Sequence, residues 1–245
     1  MNPADAVRAL VDGRALLGQP GVRPYVWWPL VVSMVIVGAG LAAALSATAG
    51  LGSWATRILP EWLDFLAAVV EPLLQLLLIL TGTWLFGFLA VVLSSPFHGN
   101  LSAALETGFA TTPLPPDPGL ARMLAQSLGR EGRKLRYQLP RLLAVALLYV
   151  VPVVNVIAPP ASLLLAAWLL AAQFIDLPAE NRHIPFTETL SRLRRFRLCS
   201  LTFGAVVAAL LAIPLLNILT VPLAVAGGTL LWHRMEQQLA NERRT

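Results

Sequence analysis

Apolar residues fill four long stretches of this chain, and basic residues gather at the ends of those stretches. The first two stretches, 25–50 and 62–93, are long enough as helices to cross a bilayer hydrocarbon core of roughly 30 Å. They predict two transmembrane helices. Ahead of them, residues 1–18 carry apolar positions at helical spacing among arginines, which predicts an amphipathic helix lying in the membrane interface.

The other two stretches, 142–172 and 201–232, are interrupted by a repeated pattern of proline and asparagine. The interruption reads VPVVNVIAPP in the first stretch and IPLLNILTVP in the second. Proline removes a backbone donor and clashes with the preceding helical turn, so each stretch is expected to break into two limbs of about ten to thirteen residues. Such a limb rises roughly 15 to 20 Å, which is about half of the hydrocarbon thickness.

Two interpretations of each interrupted stretch compete: a single kinked transmembrane helix, or a half-inserted helical hairpin. Arginine and lysine precede the first stretch, separate the two, and follow the second. If both stretches crossed the membrane, the middle basic group would face the opposite side, against the tendency of basic loops to stay cytoplasmic. The charge pattern therefore favours hairpins. Asn155 and Asn217, at the two interruptions, either line a polar path or cap the broken helices, and capping is the preferred interpretation.

Composition places the chain in a class. Of its 245 residues, 57% are hydrophobic and only 13% are charged, and the mean hydropathy is +0.70. These values predict an all-α integral membrane protein of one domain, residues 1–245. The net charge is +5, and the basic residues lie beside apolar segments. This position indicates contact with anionic membrane lipids and not with nucleic acid. Glu71, in the second spanning stretch, either marks a pathway or is paired at the interface.

No catalytic motif is recognisable, and neither a metal nor a cofactor is expected. The single cysteine, Cys199, and the three scattered histidines do not have the spacing of metal ligands. The chemistry that remains is anion binding. Gly21, Val22 and Arg23 lie at the amino end of a predicted helix, where free amides and the positive end of the helix dipole favour an anion.

Several motifs together resemble the CysZ family of bacterial sulfate transporters along the whole chain. They are GQPGVRPYVWWPL, SSPFHGNLSAALE, GREGRKLRYQLPRLL, VPVVNVIAP, AAWLLAAQFIDLPAEN with its D-x-P-x-x-N linker, and FGAVVAALLAIPLLNILTVPLAVAGGTLLW. The resemblance implies a multi-pass protein of the bacterial inner membrane, with two spanning helices and two half-inserted hairpins. It further implies sulfate uptake for cysteine biosynthesis, through a channel or permease.

The resemblance also implies a sulfate site at Gly21, Val22 and Arg23. Pro24 stands where the family has a second basic residue, which removes one charge and one amide donor. Because a single arginine does not neutralise a dianion, either the affinity for sulfate is weaker or another basic group helps to bind it. The candidates are Arg133, Lys134 and Arg195, each of which is otherwise explained as a charge that sets topology or faces lipid.

Assembly and orientation are further expectations. The resemblance implies a homo-oligomer whose subunits can be inserted in both orientations, whereas the distribution of basic residues predicts one orientation with both termini cytoplasmic. The main alternative to a transporter is a non-conducting membrane scaffold that regulates sulfur uptake through partner proteins.

Overall fold

A computed structural model describes residues 1–58, 72–73, 75–82, 98–109, 113–115 and 120–244. The regular structure in these ranges is helical, without a strand. The chain divides into two compact units, one comprising Met1–Val26 and His98–Thr245 and the other Trp27–Phe97. In the second unit, residues 72–73 and 75–82 are helical, while most of the spanning helix predicted over 62–93 lies outside the described residues.

Nine helices are named here in chain order: α1 Pro3–Leu17, α2 Arg23–Ile58, α3 at 98–106, α4 Leu120–Val150, α5 Ala158–Ile175, α6 Leu177–Asn181, α7 Phe186–Arg195, α8 Arg197–Leu211 and α9 Pro214–Glu242. A 3₁₀ turn, Val154–Ile157, precedes α5. Among the described residues, two helical segments are long and apolar enough to cross a membrane: Arg23–Ala47, with a mean hydropathy of 2.3, and Val154–Asn181, with 1.8.

Helix α1 begins with a capping box. Asn2 accepts a hydrogen bond from the Asp5 amide, the Asp5 side chain accepts one from the Asn2 amide, and Pro3 occupies the first turn, where no donor is needed. A helix is therefore present at Pro3–Leu17, within the predicted stretch 1–18. Its buried face consists of small residues and Leu10, while Val7 and Val11 are exposed. Its position in a membrane interface stays a prediction.

The first interrupted stretch doubles back on itself. Tyr149 near the end of α4 hydrogen-bonds to Ser162 near the start of α5, at 3.0 Å. Further from the break, Trp168 donates to the Tyr137 hydroxyl at 2.8 Å. Residues earlier in α4 thus pair with residues later in α5, as in an antiparallel hairpin. Its half-insertion into a bilayer stays a prediction.

The returning limb of this hairpin is longer than the sequence predicted. The sequence predicted limbs of about ten to thirteen residues, but α5 starts at Ala158 and has 18 residues, which corresponds to about 27 Å. The reason is the position of Pro159 and Pro160 in the first turn of α5. Amides of a first helical turn have no partner within the helix, so prolines there cost little.

The second interrupted stretch breaks earlier than expected. Helix α8 ends at Leu211, and α9 restarts at Pro214 and continues through Pro222. The predicted interruption from Ile213 to Pro222 is therefore wrong for most of its length. An internal proline costs about 3 kcal/mol. Burial of the following residues, Ala224 to Ala226, offsets that cost.

Small residues let these helices pack closely. A Cβ atom on Gly204 of α8 would lie 1.7 Å from the Ala167 carbonyl oxygen of α5, and one on Gly13 of α1 would lie 2.8 Å from the Gly227 nitrogen of α9. No side chain fits at either contact. Helices α1, α5, α8 and α9 thus form one core, onto which Leu101 and Leu105 of α3 also pack.

Candidate anion-binding site

The turn between α1 and α2 carries the predicted sulfate residues, and most of its amides are already used. The Gln19 carbonyl accepts hydrogen bonds from the amides of Val22 and Arg23, at 3.0 and 3.1 Å. The Tyr25 amide donates to the Val22 carbonyl at 3.0 Å. The sequence predicted free amides at this helix start. These amides are not free, because the tight turn places the Gln19 carbonyl within hydrogen-bond distance of the first helical residues.

Two donors at this turn remain available to an anion. Gly21 is exposed, its amide hydrogen-bonds to no described residue, and a Cβ at this position would have nothing within 4 Å. Arg23 is exposed and uses only Nε, which donates to the Gly18 carbonyl at 2.8 Å. This bond positions the guanidinium beside the turn and leaves both terminal nitrogens for a ligand. Val22 is 3% exposed and anchors the turn in the core.

The basic residues expected to assist do not join this turn through any described hydrogen bond or ion pair. Arg133 is exposed. Arg195 is exposed and pairs with Glu242 at 2.6 Å. Lys134 is buried, so its interpretation as a lipid-facing charge is wrong. The turn as described therefore offers one full positive charge.

Lys134 belongs instead to a buried cluster at the base of the first hairpin, which we call the Asp176 cluster. Asp176 is fully buried and accepts hydrogen bonds from Arg130, at 2.8 and 2.5 Å, and from Thr189 at 2.7 Å. Lys134 lies 3.2 Å from Asp176 and 2.9 Å from Glu131. The cluster ties α4 to α7 and to the start of α6.

Charge attraction outweighs burial at Lys134. Burial alone lowers the pKa of its ammonium group. The nearby carboxylates of Asp176, Glu180 and Glu131 together raise the pKa by more than burial lowers it, so the net pKa is raised. Lys134 therefore remains charged at neutral pH. The sequence contained a signal for this cluster in the D-x-P-x-x-N linker, whose Asn181 also donates to the Gly99 carbonyl at 3.0 Å.

A second buried cluster surrounds Glu106, and the sequence did not reveal it. We call it the Glu106 cluster. Glu106 is 1% exposed and accepts two hydrogen bonds from Arg182, at 2.9 and 2.7 Å. His233 Nε2 lies 3.2 Å from the same carboxylate oxygen. Nearby, the Arg192 guanidinium lies 4.0 Å from the centre of the Trp232 ring. No spacing in the sequence indicates that α3, α7 and α9 meet here.

The remaining candidates of the permeation path lie elsewhere. Asn155 is exposed in the 3₁₀ turn, and Asn217 is inside α9. The N-cap residues of α5 and α9 are Ile157 and Ile213, and neither makes a side-chain cap, so Asn155 does not occupy the N-cap position of α5. Glu71 lies outside the described residues.

Metal ligation and thiol chemistry find no support in the described ranges. No group of three histidine, cysteine or acidic side chains there could hold a metal ion. Burial raises the pKa of the Cys199 thiol to about 11, which keeps it protonated and unreactive at neutral pH.

In the part of the chain that the structure describes, the architecture is helical, with two segments long and apolar enough to cross a bilayer and a candidate anion site at a helix start. Comparison with known proteins gives the family. Residues 9–222 match the model of the family described as sulfate transporter CysZ/etoposide-induced protein 2.4. The chain belongs to this family.

Relatives named sulfate transporter CysZ align along nearly the whole chain. The protein from Pseudomonas fluorescens is 39% identical over 233 residues, covering 92% of this chain and 91% of its own length. The Pseudomonas aeruginosa PAO1 protein is 37% identical, with 94% and 95% covered. The Pectobacterium atrosepticum protein is 34% identical, with 94% and 86% covered. These relatives are named as transporters and not as enzymes.

Proposed function

We propose that this protein carries sulfate across the bacterial inner membrane, as a channel or permease, and supplies it for cysteine biosynthesis. The observation that supports this most strongly is the alignment of the chain, over more than nine-tenths of its length, with proteins named sulfate transporter at 34–39% identity. The family model matches residues 9–222, a range that includes the α1–α2 turn and the first hairpin.

The anion site of this proposal is the α1–α2 turn. Sulfate would accept hydrogen bonds from the terminal nitrogens of Arg23 and from the Gly21 amide, at the positive end of α2. Val22 contributes by holding the turn against the core. A single arginine leaves part of the sulfate charge uncompensated, so we expect weak binding. Weak binding suits a conducting protein, in which the anion must also leave.

The hairpins are proposed to enter the membrane from one side. Between Arg141 and Asp176 the chain has no charged residue, and the tip of the first hairpin is exposed, with Val153 at 88% and Val156 at 76%. An apolar tip without a protein partner in the described contacts suits lipid or a second subunit. Exposed arginines at the hairpin bases, such as Arg133, suit anionic lipid headgroups, and we propose a homo-oligomer in a multi-pass arrangement.

The test is uptake of radiolabelled sulfate into liposomes that contain only the purified protein, with and without an imposed proton gradient. We expect uptake by the wild type and at least a tenfold reduction at low sulfate in Arg23→Ala, because a hydrogen bond to a charged group contributes about 1.5–3 kcal/mol. Arg14→Ala is the matched control, since Arg14 is also exposed and lies in the last turn of α1.

Absence of uptake under both conditions, by protein that remains folded, would refute the proposal. A partner protein that copurifies with the non-conducting protein would then favour the scaffold alternative. An equal loss of sulfate uptake in Arg23→Ala and Arg14→Ala would leave the transport proposal standing. It would refute the proposal that the α1–α2 turn is the anion site.

A further inference from the structure

A cavity that the candidate anion site does not use lies between α7 and α9. Its volume is about 670 Å³, and the charged residues that line it are Glu188, Arg192, Arg195, Glu236 and Arg243. Cavities that bind small molecules are typically of this size and carry a few polar groups at fixed positions. We call this cavity the α7–α9 groove.

One face of α9 forms one wall of the groove. Glu236, Leu239, Ala240 and Arg243 line it at spacings of three and four residues, so their side chains lie on the same side of the helix. The rise between Glu236 and Arg243 is about 10 Å. This wall therefore has a carboxylate at one end, a guanidinium at the other and an apolar segment between them.

Ion pairs already involve two of the three arginines in the groove. Arg192 donates to Glu188 at 2.6 Å, and Arg195 donates to Glu242 at 2.6 Å. Arg243 is exposed, and among the described residues its side chain has no hydrogen bond or ion pair. Its guanidinium therefore retains all of its donors for a ligand.

Glu236 is the acidic counterpart of Arg243. Its side chain is 43% exposed, and the basic atoms nearest to its carboxylate are Arg192 Nη1 at 3.7 Å and His233 Nδ1 at 3.6 Å. Both distances exceed that of a hydrogen bond. The Glu236 carboxylate therefore retains its acceptor capacity, and the two groove residues without a hydrogen-bonded partner have opposite charges.

This pair of opposite charges decides the class of ligand. A simple anion that approached Arg243 would also meet the carboxylates of Glu188 and Glu236, and a simple cation would meet three guanidinium groups. A zwitterion offers a donor to one end of the wall and an acceptor to the other. The apolar segment at Leu239 and Ala240 offers a surface for an apolar side chain.

We propose that the α7–α9 groove binds a free α-amino acid, with its ammonium group on Glu236 and its carboxylate on Arg243. A guanidinium binds a carboxylate through two parallel hydrogen bonds. Glu236 and Arg243 follow Trp232, where the apolar stretch 201–232 ends, so the groove is open to a dissolved ligand. No step of the proposed sulfate transport involves this groove, and the two proposals stand or fall separately.

The test compares three ligands on the full-length wild-type protein in an uncharged detergent: L-leucine, N-acetyl-L-leucine, which lacks the ammonium group, and L-leucinamide, which lacks the carboxylate. We expect L-leucine at about 10 mM to raise the melting temperature by about 3–6 °C, which corresponds to a dissociation constant of about 1 mM. In calorimetric titrations each analogue should bind about tenfold more weakly or worse, because each loses one charge-assisted contact.

Two variants assign the binding to the groove. Glu236→Gln and Arg243→Gln each remove one charge and retain a polar side chain, and we expect each to bind L-leucine about tenfold more weakly than the wild type. Arg244→Gln is the matched control. Arg244 is exposed and adjacent to Arg243, but it is not among the residues that line the groove, so this variant should bind as the wild type does.

Any of four results would overturn the proposal. Equal affinities for L-leucine and N-acetyl-L-leucine would show a site for anions alone. Unchanged binding of L-leucine by Glu236→Gln or by Arg243→Gln would remove the assigned contact. Phosphoethanolamine carries the same two charges in a lipid headgroup, and its binding without that of L-leucine would assign the groove to membrane lipid. Absence of binding by all of these ligands would leave the groove without a zwitterion site.

Discussion

Replacement of Asp176 by asparagine is the sharpest test of how the first hairpin is held to the rest of the molecule. The substitution keeps the size of the side chain and removes its charge. Arg130 and Lys134, whose side chains are 6% and 2% exposed, then lose the carboxylate between them. Removing one partner of a buried ion pair typically costs about 3–5 kcal/mol, because the remaining charge is buried without compensation.

The expected loss lies in the lower half of that range. Lys134 keeps the Glu131 carboxylate at 2.9 Å, and Arg130 keeps the Ile184 carbonyl at 2.6 Å. For a chain of this length, about 3–4 kcal/mol corresponds to a melting temperature lower by about 6–16 °C. Thermal unfolding of the purified protein in detergent, followed by tryptophan fluorescence, measures this shift.

Asp12→Asn is the matched control for this experiment. Asp12 also pairs with an arginine, Arg234, but their side chains are 52% and 34% exposed. Such surface pairs contribute about 0–1 kcal/mol, so the control should shift by less than about 4 °C. A shift in Asp176→Asn no larger than that of the control would refute the buried-pair explanation.

A triple variant separates the effect of charge from that of packing. Arg130→Met, Lys134→Met and Asp176→Leu together remove the three most buried charges of the cluster and retain apolar volume. Buried ion pairs replaced in this way often lose little stability or gain some. We expect the triple variant to be more stable than Asp176→Asn alone. The opposite order would show that the fold depends on the cluster's hydrogen bonds and not on its charge balance.

Two further predictions follow from raised pKa values. The raised pKa of Lys134 contributes stability that is fully present below about pH 10.5 and is lost as pH rises through the pKa of the folded state. The melting temperatures of the wild type and Lys134→Met should therefore converge above pH 11. A difference that stays constant up to pH 11.5 would contradict this. Burial raises the pKa of the Cys199 thiol from 9.0 to about 11. At pH 8 we therefore expect iodoacetamide to alkylate this thiol about 100-fold more slowly in the folded protein than after unfolding in dodecyl sulfate. Equal rates would show that the thiol is accessible.

Local features of the fold were predictable from the sequence because their causes are local. The capping of α1 depends on Asn2, Pro3 and Asp5, which lie within four residues of one another. Helix breaks near Pro152 and Pro214 follow from the proline ring itself. The same local rules gave incorrect positions where a proline is harmless, as at Pro159 in the first turn of α5, or where packing outweighs its cost, as at Pro222.

The candidate anion site was only partly predictable. The motif located Gly21 and Arg23, but it could not show that Gln19 occupies the amides of Val22 and Arg23. Hydrogen bonds within a turn depend on the path of its backbone. The residue types in the turn restrict that path but do not determine it.

The sequence by itself determined that this is a helical membrane protein of the sulfate transporter family, with two proline-interrupted apolar stretches and basic residues between them. These properties depend on composition and on periodicity along the chain. Only the tertiary structure decided that Lys134 is buried beside Asp176 and that Glu106 meets His233, 127 residues further along the chain. Whether a charged side chain faces lipid, water or a buried partner depends on which helices pack together, and that packing depends on distant residues such as Gly204 and Ala167.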